Sequence, residues 1–435
     1  MKPLFIISCP IDTYSGYGAR SRDIVKALIE LDKYNIQILS QRWGVTPHGF
    51  IEDHNDEWGF LSSHILPHNN QLPQKPRIWA QITIPNEFTP MGEYNIGFTA
   101  GIETTLCDPS WVEGINRMDL NIVSSNHAKE VFENSKFSKQ DNHGNTLGEV
   151  SVNKPIEVLF EGANLDKYFP LKQSSNFELD SIKENFAFLS VGHWMRGDLG
   201  EDRKNIGLLV KLFYETFKNQ KHTPALILKT SEGGASYMDR DAVLSKIHQI
   251  KHTIKADTLP NVYLLHGELT DKEMNELYNH KKVKAMISLT KGEGFGRPLL
   301  EFSLTKKPII ATNWSGHTDF LDPKFTTLIP GELKQVHASA GIKNMILEQS
   351  KWFSPSIPET CNELASLFNH YKTYEKGAML QYHKSKNNFS FEKMAESLEN
   401  IITTYSPNFP ENIEFILPGL GDNTSLPKLT KVDHV

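Results

Sequence analysis

Cysteine is scarce in this chain. There are three, Cys9, Cys107 and Cys361, among 435 residues. Their odd number and wide spacing exclude a disulfide framework and point to free thiols in a reducing compartment. An excess of basic charge is also missing: 46 Lys and Arg face 52 Asp and Glu, a net charge of −6. No basic surplus invites nucleic acid as a partner. The third absence is a long apolar run. No window approaches the ~20 apolar residues of a membrane span. The apolar stretch after Met1 is too short for a signal-peptide core, and Asp12 follows soon after it. These absences predict a cytoplasmic protein with no transmembrane segment and leave peripheral membrane contact open.

What remains is ordinary globular composition, 39% apolar and 23% charged, in a chain long enough for two domains at ~100–200 residues each. Short β-branched and aromatic runs alternate with helical patterns. Strands are expected at 4–8, 35–39, 77–83, 95–100 and 120–124, with 154–160 a further candidate. Helices are expected at 19–31 and 128–134, and the polar stretch 136–150 reads as a surface loop. Such alternation builds right-handed βαβ units and a parallel sheet. The pattern pauses over the polar, proline-led segment 170–185. It restarts with strands at 186–192, 224–230, 261–267, 284–290 and 308–313, separated by helices at 206–218, 241–254, 272–278 and 298–305. The expected fold is α/β, with two Rossmann-like α/β/α lobes facing a central cleft. The N-terminal lobe covers 1–172 and the C-terminal lobe 173–389, and 409–435 reads as an irregular tail. Ligands of open α/β sheets sit at the carboxyl ends of the strands.

The segment ISLTKGEGFGRPLLEFSLTKKPIIATNWSGH, 287–317, carries the most chemistry. A strand ends near Thr290, a GEGFG turn follows, and Pro298 suits the first turn of a helix. Amides around Gly296, Arg297, Leu299 and Leu300 would point from the helix start, an anion site suited to a diphosphate. The glycines would let the backbone approach a ligand closely. Glu293 and Glu301 flank the turn and suit hydroxyl groups better than phosphate. The competing reading is a helix N-cap network in which both carboxylates merely favour the positive dipole end.

EGFGRPLLE resembles the Glu-x7-Glu motif of the retaining family 4 glycosyltransferases, and PIIATNWSGHTDFL continues as those enzymes do. YSGYGARS (14–21), DLNIVSSNHAKEVF (119–132), EVLFEGANLDKYFP (157–170) and the blocks 191–217 and 261–278 agree in order and spacing. The resemblance implies a GT-B fold in which a C-terminal helix crosses back to the first lobe, here 391–405, completing it over about 390–408. It implies a nucleotide-sugar donor on the C-terminal lobe, no further cofactor and no metal. Glu301 would hold the ribose and Glu293 the transferred sugar. Backbone at Gly294, Phe295, Gly296, Arg297 and Leu299 would serve the sugar and diphosphate. The family also places a Lys and an Arg on the diphosphate. Lys204 matches the Lys. The Arg position holds His193, so Arg196 and Arg203 share that role. In the N-terminal lobe, Gly16 and Gly18 lie between the first strand and a helix, where an ordinary βα turn is the competing reading. Glu103 follows a strand end, where it would touch the acceptor or the reacting sugar. His127 reads as structural.

Asp239-Arg240-Asp241 has the form of a metal-binding Asp-x-Asp but stands at a helix start, where N-capping explains it better. His248 and His252 are four apart with no evident third ligand, as on a solvated helix face. The expected activity is retaining, metal-independent, hexosyltransferase-type transfer of a sugar from a nucleoside diphosphate to a carbohydrate, lipid-linked or protein hydroxyl. A GT-B sugar-nucleotide epimerase and a non-catalytic sugar-nucleotide-binding protein are the alternatives.

Overall fold

The computed structural model describes residues 2–44, 46–67, 74–140, 146–172 and 177–409. The first sheet contains β1 (Leu4–Cys9), β2 (Asn35–Ser40), β3 (Ile78–Ile82), β4 (Tyr94–Thr99) and β5 (Leu120–Val123). After a hairpin of β6 (Phe137–Gln140) and β7 (Thr146–Val150), it is completed by β8 (Ile156–Val158). The second contains β9 (Ala187–Val191), β10 (Ala225–Lys229), β11 (Val262–Leu265), β12 (Val283–Ser288), β13 (Ile309–Thr312) and β14 (Thr327–Ile329). Both sheets are parallel, in the orders β2-β1-β3-β4-β5-β8 and β11-β10-β9-β12-β13-β14. A second hairpin, β15 (Gly331–Gln335) and β16 (Lys351–Pro355), follows β14.

The first lobe carries α1 (Gly16–Glu30), the short α2 (Phe50–Asp53) and α3 (Asn55–Trp58), α4 (Pro109–Arg117) and α5 (Asn126–Asn134). The second carries α6 (Ile206–Phe217), α7 (Tyr237–Thr253), α8 (Asp271–Asn279), α9 (Arg297–Ser303) and α10 (Ile357–Asn369). Then come α11 (Tyr371–Asn388) and α12 (Phe391–Tyr405). Strands covered on both faces read as continuous apolar runs, and every residue of β1 is buried. The order of the second sheet reverses between β9 and β12, so the crevice at that switch point opens between the loops that follow these two strands.

The stretch 136–150 is not wholly a loop. Its described residues pair as the antiparallel β6–β7, with Phe137 opposite Val150. The residues of β7 are mostly exposed, so no apolar face marked it in the sequence. The tail past Phe409, and 173–176 within the pause between the lobes, lie outside the described residues. Among the described residues no helix is long and apolar enough to cross a membrane. All three cysteines are free.

Helix α12 returns to the first lobe. Phe391, Met394, Leu398 and Ile402, at helical spacing, enter the core formed by Ile24, Val25 and Leu28 of α1 and the first sheet. Leu398 is fully buried. Leu398→Ala should therefore cost about 2–5 kcal/mol, measured by chemical denaturation. A loss below about 1 kcal/mol would show that this helix is not part of the core.

Candidate active site

Two loops meet across the cleft, one after β12 and one after β4. A Cβ on Gly292 would lie 2.3 Å from the carbonyl oxygen of Glu103, and one on Gly294 would lie 2.8 Å from that of Ala100. The sequence reading assigned the glycines to close approach by a ligand. The structure gives these two to close approach by the opposite lobe. The Ser124 hydroxyl stands between the two loops, 3.0 Å from Gly294 O and 3.1 Å from Ala100 O. The Thr105 amide donates to Lys351 O at 2.9 Å and the Lys351 amide donates to Thr105 Oγ1 at 2.9 Å, a reciprocal contact between the lobes.

Gly296 has φ 99°, a left-handed turn that aims the chain into α9, and Pro298 occupies the first turn. The expected donors shift by a few residues. The amides of Leu299 and Leu300 already donate to Gly296 O at 2.9 and 3.3 Å. The turn therefore offers the amides of Gly294, Phe295, Gly296 and Arg297. The Phe295 ring itself is buried against Phe320, with centroids 5.0 Å apart, and the Leu299 side chain is also in the core.

Lys204 Nζ lies 2.6 Å from Glu293 Oε1. Arg203 reaches Glu293 Oε2 at 3.6 Å and Glu103 Oε1 at 3.1 Å, and donates to Gly292 O at 2.8 Å. Four of the predicted residues thus form one cluster drawn from both lobes. Arg196 does not join it, because it is exposed in the loop after β9. Of the two arginines, Arg203 is the one beside Lys204 and Glu293. Buried Asp202 accepts from the Ile206 amide at 3.3 Å, and Asn205 adopts a left-handed φ of 57°, so the end of this loop is fixed onto α6. Burial opposes the charge of Glu293, but Lys204 and Arg203 outweigh it and hold the carboxyl at about 2. Burial pulls the Lys204 ammonium down, and the adjacent Glu293 opposes that pull.

Glu301 belongs to a second cluster. Arg297 donates through Nε to Glu301 Oε1 at 3.0 Å, and reaches Asp23 Oδ2 at 2.6 Å and Glu161 Oε2 at 3.8 Å in the other lobe. The Tyr278 hydroxyl is 3.5 Å from Glu301 Oε2. Burial pushes Glu301 up to about 7 against the pull of Arg297, and burial raises Glu161 as well. Neither Asp23 nor Glu161 was among the expected residues. Glu161 stands in the EVLFEGANLDKYFP block, which was its one visible signal.

Gly16 and Gly18 form the first turn of α1 itself and do not precede it. The Gly18 amide donates to Ser15 Oγ, the N-cap, at 2.9 Å. Gly16 has open space where a Cβ would stand. Asp239 does not cap α7, whose N-cap is Ser236. It accepts from the amides of Glu232 and Gly234 and contacts His266 at 2.7 Å. His248 and His252 are exposed. Among the described residues no group of three or more His, Cys, Asp or Glu is arranged to hold a metal ion. His127 meets Trp314 edge-on at 4.6 Å, and burial holds it neutral, down to about 4. A cavity of about 740 Å³ is lined by Tyr14, Phe50 and Trp58 from the first lobe and by the Glu268–Asp271 turn from the second.

A model of the family described as glycosyl transferases group 1 matches residues 244–355. No curated protein matches the chain. Among solved structures, a glycosyltransferase from Rickettsia africae is 13% identical, with a TM-score of 0.63 over 94% of this chain and 100% of its own. Sucrose-phosphate synthase from Thermosynechococcus elongatus is 12% identical, with a TM-score of 0.60 over 93% and 99%. Anabaena HepE, in complex with UDP and glucose, is 12% identical, with a TM-score of 0.59 over 92% and 100%. At such identities the likeness to solved structures is one of fold, and that fold is GT-B. The chain thus carries, over residues 244–355, the segment that marks group 1 glycosyl transferases, set in a GT-B frame of two parallel-sheet lobes.

Proposed function

We propose that this chain transfers a hexosyl group from a nucleoside-diphosphate sugar to a hydroxyl acceptor with retention at the anomeric carbon and without a metal ion. The observation that carries the reading is the cluster of half-buried Lys204 and Arg203 with buried Glu293 at the switch point of the second sheet, beside the amides of Gly294, Phe295 and Gly296. HepE, which shares the fold, is solved with UDP and glucose, and this supports a nucleotide-sugar donor here.

In this reading the donor diphosphate displaces Glu293 from Lys204 and Arg203. The freed carboxylate then accepts hydrogen bonds from the sugar hydroxyls. Arg203 is the guanidinium that meets phosphate, and Glu103, bound to it, faces the acceptor side. Glu301 accepts the ribose hydroxyls. Gly16, open at the mouth of α1, leaves room for the acceptor. In transfer, the bond from the anomeric carbon to the β-phosphate oxygen breaks and a bond to the acceptor oxygen forms. The acceptor's proton passes to the departing diphosphate. Charge grows on the diphosphate as the sugar becomes oxocarbenium-like. Lys204, Arg203 and the turn amides meet that charge in a cleft that excludes water. No metal enters the scheme, because two fixed cations occupy the position of the growing charge.

Lys204→Ala should lower kcat by ~10²–10³ with the best donor from a panel of UDP-, GDP- and ADP-sugars. Near-wild-type turnover would remove Lys204 from the leaving-group role. Glu301 gives a second test. Its folded-state value of about 7 exceeds the ordinary 4.5, so the folded chain holds a proton that the unfolded chain has lost. Stability therefore falls as pH rises through that window, and the cost is complete above about 7. Glu301→Gln should gain thermal stability over wild type between pH 5 and 8 while losing nucleotide affinity. A variant that gained no stability with rising pH, or kept its affinity, would contradict an ionised Glu301 retained for binding.

A further inference from the structure

We propose that Arg297 is a positioning residue through which the N-terminal lobe keeps Glu301 available to the donor ribose. The proposal rests on the ribose role of Glu301 given above.

The geometry of the guanidinium carries it. An Arg and a Glu four apart on one helix ordinarily draw together, and a free fork grips a carboxylate with two parallel N–H bonds. Here only Nε meets Glu301, at 3.0 Å on Oε1. Nη1 is turned away, toward Asp23 at 2.6 Å and Glu161 at 3.8 Å. Glu301 Oε2 is left with the long 3.5 Å contact from Tyr278. A ribose diol needs acceptor positions of this kind. Asp23 lies on α1 and Glu161 follows β8, so both belong to the opposite lobe. Arg20, which donates to Phe160 O at 2.9 Å, sits beside Glu161 and opposes the rise that burial imposes on its carboxyl. Without Asp23 and Glu161 the fork would close on Glu301 and compete with the ribose. The ribose site is therefore complete only while the lobes are together, and donor binding and lobe closure favour each other.

Among the described residues, Glu301 is faced by Arg297 on its own helix, Asp271 and Tyr278 on α8, and Tyr168 and Glu161 after β8. Asp23 and Arg20 act on it through Arg297 and Glu161. Loss of Asp23 should thus do two things in opposite senses. It should weaken ribose binding, because Arg297 now occupies Glu301. It should also shift the protonation of Glu301 to lower pH, because the same guanidinium now favours the anion more strongly.

The test titrates UDP, GDP and ADP calorimetrically into wild type, Asp23→Asn, Glu161→Gln and Glu301→Gln from pH 6 to 8.5, using whichever nucleotide binds wild type tightest. Comparison with wild type removes the nucleotide's own ionisation. Asp23→Asn should bind about tenfold more weakly on the alkaline plateau, with the midpoint of its pH profile moved down. A merely structural loss would weaken binding without moving the midpoint, and that outcome, or an unchanged affinity, overturns the proposal. If Asp23→Asn does not fold, Glu161→Gln must show the same pair of shifts in smaller measure, and their absence overturns the proposal equally. Glu301→Gln separates the two levels. If it binds as wild type does, the ribose role itself fails, whatever Asp23 does.

Discussion

The cleft depends on one close approach of backbone to backbone. The loop that carries Gly292, Glu293 and Gly294 is pressed against the loop of Ala100 and Glu103, with no room for a side chain at either glycine. That contact sets the distance from Glu103 to Arg203, and through Arg203 to Glu293 and Lys204. Four charged groups from two lobes can share one small volume only because two of the residues between them have no Cβ. A methyl group at Gly294 would have to push the lobes apart and carry Glu103 away from Arg203.

The two clusters divide the electrostatic work unequally. Around Glu293 the charges balance, two cations against two carboxylates, and the carboxyl is held at about 2 despite its burial. Around Glu301 they do not. Arg297 serves three carboxylates, and burial leaves Glu301 at about 7. A buried carboxyl that loses stability by ionising is a poor structural element. In the proposed reading it is kept for the ribose hydroxyls, and it stands on the helix that the glycine turn leads into.

Much of this was legible in the sequence. Parallel strands buried on both faces write themselves as unbroken apolar runs, so β1, β4, β9 and β12 fell within a residue or two of their expected positions. The GEGFG turn also carried a clear local signal, a glycine cluster before a proline, whereas Lys204 entered through the family resemblance. Three features left no mark. Strand β7 is mostly exposed and has no apolar face to show. The partners of Arg297 lie 274 residues away at Asp23 and 136 away at Glu161, and no local pattern reports such a pairing. The glycines were read as room for a ligand because the sequence cannot say what approaches them, and here it is the other lobe. Which of Arg196 and Arg203 stands beside Lys204 was likewise a matter of where a loop turns, and the left-handed Asn205 and the buried Asp202 fix that turn.

The central claim is that Lys204, Arg203 and the GEGFG amides form a site for a diphosphate. The measurement that tests it most directly is the affinity of the wild-type chain for UDP set against uridine, with GDP against guanosine and ADP against adenosine in parallel. The account predicts that for one base the diphosphate binds at least ~100-fold more tightly than the nucleoside, since charge-assisted contacts to phosphate are the strong ones. Equal affinity for diphosphate and nucleoside across all three bases would contradict it.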